Sequence, residues 1–107
     1  MAVEFAPDDY HKFELDWYEA KLYCFSLNIG GKVGWRLPTI DEIIEEDWGL
    51  CEDDLSVWVW TSDPVKNINN SQQYAYQYEL CDGELFAIGK NGSEEVWVYP
   101  VRDLQHD

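Results

Sequence analysis

Basic side chains are scarce in this 107-residue chain: 7 Lys and Arg stand against 22 Asp and Glu, for a net charge of −15. A polyanion is gripped by releasing its counterions to lysine and arginine, so the scarcity argues against direct binding of DNA, RNA, heparin or an anionic membrane leaflet. No apolar run approaches the ~18 residues of a membrane span. The start, MAVEFAPDDY, lacks the basic and apolar regions of a signal peptide, so the expected location is cytoplasmic. Histidine is limited to His11 and His106, near the two ends and expected in solvent, which leaves no convincing nucleophile–base–orienter set; the chain is not expected to be an enzyme. Cys24, Cys51 and Cys81 are an odd number without a C-x-x-C pair, so they read as reduced, mostly buried thiols rather than zinc ligands or an exchange motif.

Apolar residues make up 46% of the chain and include 6 tryptophans, enough for one domain spanning 1–107. Val3 to Phe5 has the composition of an edge strand. Asp16 precedes an apolar pattern with Glu19 at capping-box spacing, and Trp17, Ala20, Cys24 and Leu27 recur as the inner face of a helix that Asn28 and Gly30-Gly31 should end. Thr39 and Glu42 repeat the spacing and start a second helix, with Ile40, Ile43 and Ile44 on one side and acids on the other, ending near Gly49. From Ser56 the period becomes two. Val57 to Thr61 (VWVWT) is apolar on both alternating sets and predicts a buried strand. Tyr74 to Leu80 alternates, Asp82-Gly83 turns into Leu85 to Ile88, and Asn91-Gly92 should make the next hairpin into Val96 to Val101. The order predicts an α+β fold, with two helices packed on a twisted antiparallel sheet.

The segments Trp17-x-Glu19-Ala20, Tyr23-Cys24, Leu27, Gly30-Gly31, Gly34-Trp35-Arg36-Leu37-Pro38-Thr39 (GWRLPT), Glu42, Trp60-Thr61-Ser62 and Val101-Arg102 resemble a family of bacterial and phage domains of unknown function. That family includes the C-terminal domain of collagen-like adhesins and looks like a branch of the C-type-lectin-like fold also used by the formylglycine-generating enzyme. The resemblance implies that the two chain ends pair as strands and that two helices flank the sheet. The motif reads mainly as scaffold, with Trp35 and Pro38 packing and Arg36 pairing with a carboxylate or capping carbonyls. The oxidase's cysteine pair near the chain end has no counterpart here. Neither do the Glu-Pro-Asn and Trp-Asn-Asp calcium motifs of lectins, and no D-x-D-x-D-G series is present, so no metal or cofactor is expected.

The charge imbalance exceeds the roughly 2 to 8 charges that solubility asks of a small domain. It concentrates in a belt, Asp41, Glu42, Glu45, Glu46, Asp47, Glu52, Asp53 and Asp54, which is the candidate partner-binding surface. A rigid array of carboxylates presents a phosphate-like pattern to a basic protein, with fast, salt-sensitive association. The expected function is thus a non-catalytic protein-binding module for a basic partner, such as a nucleic-acid-binding complex blocked by a phage-encoded mimic. The alternative is a ligand or glycan receptor domain using its loops, Ser62 to Gln73 and Lys90 to Glu95.

Overall fold

The computed structural model describes residues 3–46, 57–66, 69–92 and 95–104. Helix α1 (Trp17–Ser26) starts at a reciprocal capping box: Asp16 accepts from the Glu19 amide at 2.8 Å, and Glu19 accepts from the Asp16 amide at 3.0 Å. Helix α2 (Ile40–Glu45) starts the same way, the Thr39 hydroxyl accepting at 3.2 Å and the Glu42 carboxylate at 2.8 Å. The helix ends differ from expectation. Leu27, which closes α1, is extended rather than left-handed, so the glycines do not cap it. Instead Gly30 (φ 60°) and Gly31 (φ 90°) form a two-residue turn between Ile29 and Lys32, which exchange two backbone hydrogen bonds of 3.0 Å. Both central positions of such a turn need positive φ, and glycine adopts it without a Cβ clash. Helix α2 stops at Glu45; Gly49, expected to stop it, lies outside the described residues.

Strand β1 (Val3–Phe5) pairs antiparallel with β7 (Val101–Asp103), Val3 opposite Asp103, so the terminal segments do pair. The other described strands form one sheet in the order β2 (Lys12–Phe13), β6 (Val96–Val98), β3 (Trp58–Pro64), β4 (Tyr74–Glu79), β5 (Leu85–Gly89). The β4–β5 hairpin turns at Asp82-Gly83 as expected, with Gly83 at φ 74°. The expected hairpin at Asn91-Gly92 does not form. The chain instead crosses to the far side of β3, where β6 runs parallel to it with Val59 beside Trp97, and the sheet is mixed rather than antiparallel. Burial explains the choice. Against β3, Val96 and Val98 lose all contact with solvent, whereas the β5 edge carries Leu85 and Phe86 at 40% and 51% exposure.

Two apolar clusters hold these elements. Ala20 and Cys24 of α1 pack with Trp35, Leu37, Trp60, Ala75, Val96 and Val98, with Trp17 and Leu27 at the margin. Ile43 of α2 packs with Val59 and Tyr99. Ile44, expected on the inner side of α2, is 57% exposed, because a helix of 6 residues turns only one narrow stripe inward. Along β4 the burial runs against hydropathy: Ala75, Gln77 and Glu79 face inward, and the alternating tyrosines are half-buried.

Candidate functional site

The hexapeptide Gly34 to Thr39 is a tie point. Gly34 takes φ 86°, which brings Trp35 into the core, its indole Nε1 donating to the Lys32 carbonyl at 3.0 Å. Arg36 exchanges backbone hydrogen bonds of 2.7 and 2.8 Å with Val101. Its guanidinium donates twice to Glu42 (2.9 and 2.7 Å), once to Asp103 (2.7 Å) and once to the Leu37 carbonyl (3.1 Å). Pro38 is fully buried, and its carbonyl accepts from the Ser62 amide at 2.9 Å. One short segment thus joins α2, β3 and β7, the scaffold role expected of it. The bidentate Arg36 contact holds the Glu42 carboxyl below the usual carboxylate range; burial opposes this, and the Thr39 amide adds to it. The same contact raises the Arg36 pKa further.

That geometry divides the acidic belt. Glu42 is spent on Arg36 and on the α2 cap, with its side chain only 16% exposed, so it is not the open contact the sequence led us to expect. Asp41, Glu45 and Glu46 are exposed and make no ion pair among the described residues. Asp47, Glu52, Asp53 and Asp54 lie outside the described residues. Five of the other cations are used elsewhere: Arg102 and Lys32 both pair with Glu4, Lys12 lies over the Tyr23 ring, and Lys21 and Lys90 lie over Trp17 at 4.8 and 4.1 Å. The loop expected over Ser62 to Gln73 is shorter, since β3 continues through Pro64.

Two polar residues lie in the interior against expectation. Glu79, 2% exposed, accepts from the amides of Val57 (3.3 Å), Cys81 (2.9 Å) and Asp82 (2.6 Å). Burial pushes its carboxyl up, but the amide donors outweigh this and leave it below its ordinary value. No spacing rule marks a glutamate that gathers amides from its own hairpin turn and from the start of another strand. His11, expected in solvent, has a side chain only 10% exposed, stacked on Tyr99 with ring centroids 4.0 Å apart. Its Nε2 donates to the Ala6 carbonyl at 3.1 Å, so the hydrogen of the neutral ring sits on Nε2 rather than Nδ1. Burial pulls its pKa below the ordinary 6.5 against the smaller opposing effects of Ala6 and Asp8. His106 lies outside the described residues.

The thiol of Cys24 is fully buried, and burial pushes it up to about 12, which removes it as a nucleophile at neutral pH. No cluster among the described residues is arranged to hold a metal ion, and no described helix is long and apolar enough to cross a membrane. A cleft of about 350 Å³ opens between α1 and the hexapeptide, lined by Trp17, Lys21, Phe25, Trp35, Arg36, Leu37 and Ser62. Trp17, Lys21 and Phe25 stand four residues apart, a row along one helix side that was legible in the sequence and passed over. No family model, curated protein or solved structure matches the chain.

Proposed function

We propose that this protein is a non-catalytic, C-type-lectin-like binding module whose acidic face engages a basic partner, occupying a nucleic-acid-binding surface as a carboxylate mimic of phosphate. The observation that carries the reading is the division of charge on α2. Glu42 is drawn inward by Arg36, while Asp41, Glu45 and Glu46 stay exposed and uncompensated. Carboxylates held on a capped helix keep a fixed spacing, which a basic groove can read, and the net charge of −15 steers the encounter. The pairing of β1 with β7, the two helices and the tie made by GWRLPT support the fold assignment and the kinship with the adhesin-type domains.

The test is capture from source-cell lysate on the immobilised protein, at low and high salt, beside a variant carrying Asp41→Asn, Glu45→Gln and Glu46→Gln. Basic nucleic-acid-binding proteins should be retained by the wild type at low salt, released at high salt and lost by the variant. Equal retention by both proteins, or retention indifferent to salt, would overturn the reading.

A further inference from the structure

We propose that the cleft between α1 and the hexapeptide is a binding site for a small aromatic carboxylate. The volume of about 350 Å³ is that of a small-molecule site, and its lining has the expected makeup, with aromatic and aliphatic walls and a few polar groups. The walls are fixed before any ligand arrives. The Trp17 indole is held by a hydrogen bond from Nε1 to the Thr61 carbonyl at 3.1 Å, and the Trp35 indole by its bond to Lys32. Rings already locked in place lose little freedom on binding. Phe25 forms the outer lip at 83% exposure, an unusually bare phenylalanine that a flat ring would cover.

Charge decides which kind of ring. A set of aromatic faces ordinarily suits a cation, but here the Trp17 face already carries Lys21 and Lys90. A third cation would meet two ammonium groups. The cleft lining contains Lys21 and Arg36 and no carboxylate, on a protein that is otherwise strongly acidic. Arg36 is bound to Glu42 and Asp103, a cluster in which two carboxylates outweigh one guanidinium, so it offers a ligand neither free donors nor a net positive field and leaves the recognition of charge to Lys21. Lys21 makes no ion pair among the described residues, and its ammonium, held beside Trp17, is the group that meets a ligand carboxylate while the ring covers Phe25. The site is separate from the outer face of α2, and neither proposal needs the other.

Indole-3-acetate, its neutral amide indole-3-acetamide and the amine tryptamine are suitable probes, titrated into the wild-type protein by calorimetry and by NMR of the tryptophan indole N–H signals. The acid should bind about tenfold more tightly than the amide, the amine should bind least, and the Trp17 signal should move. In Lys21→Met, an exposed helical position, the acid should fall to the affinity of the amide; in Phe25→Ala both should weaken together. Equal affinity of acid and amide for the wild type, an unmoved Trp17 signal at millimolar acid, or full acid affinity in Lys21→Met would overturn the proposal.

Discussion

Glu42 and Glu45 lie on the same short helix, one turn apart, and their carboxylates have little in common. Glu42 accepts two hydrogen bonds from Arg36 and one from the Thr39 amide, while Glu45 meets solvent. Glu79 belongs with Glu42, since its charge is held by backbone amides inside the fold. The difference teaches that acidity here has two functions. A few carboxylates organise the chain and must stay ionised for the fold to hold; the others contribute charge outside and little to the interior.

The comparison is broken hardest at Glu79. Glu79→Ala strands the amides of Val57, Cys81 and Asp82 and should cost about 3 kcal/mol, seen as a lower midpoint in urea unfolding. Arg36→Leu leaves Glu42 half-buried without its partner and should cost about 2 kcal/mol. This is less than for a fully buried pair, because Asp103 can return to water. Acid should act next. Glu42 and Glu79 have depressed pKa values, so the unfolded chain takes up protons first as pH falls, and their stabilisation, complete above the ordinary carboxylate range, is lost through and below it.

His11 brings an earlier decline. Its pKa is also depressed, so below the ordinary 6.5 the unfolded chain binds a proton that the folded protein refuses. Stability should therefore begin to fall as pH drops below that value, and His11→Phe, which keeps a ring against Tyr99, should flatten this first part of the profile in urea midpoints measured between neutral pH and pH 5. The smallest effect belongs to the outer acids. Asp41→Asn gives up a favourable charge at the start of α2, whereas Glu45→Gln and Glu46→Gln remove unfavourable ones at its end. The combined variant should stay within about 0.5 kcal/mol of wild type in the same assay. A larger loss would place these residues with Glu42 and erase the distinction.

What the chain disclosed in advance follows the range of the forces involved. Both capping boxes act over three residues, so Asp16 with Glu19 and Thr39 with Glu42 were readable from spacing alone, and the doubly apolar VWVWT announced a central strand. The destination of β6 was not readable, because an Asn-Gly pair signals a turn but not the edge to which the next strand returns. Gly30-Gly31 misled for a similar reason: positive φ serves a helix cap and a hairpin turn equally. The Arg36 tie was anticipated in kind, a carboxylate partner, but Asp103 stands 67 positions away and only the folded chain brings it there. Glu79 gave no cue, since an acid in an alternating strand ordinarily faces water.

The β1–β7 ladder also determines how the molecule responds to tension. Val3 stands opposite Asp103 in an antiparallel pair, so segments joined ahead of β1 and behind β7 leave from the same end of the ladder. A pull on them opens the pairs in sequence, from Val3 and Asp103 inward to Phe5 and Val101, as a zipper opens, rather than shearing them together. Val101 is also the residue whose backbone holds Arg36, so the last pair to open is the one that secures the hexapeptide. By the same geometry, the domain fits between two points of a larger protein that lie close together.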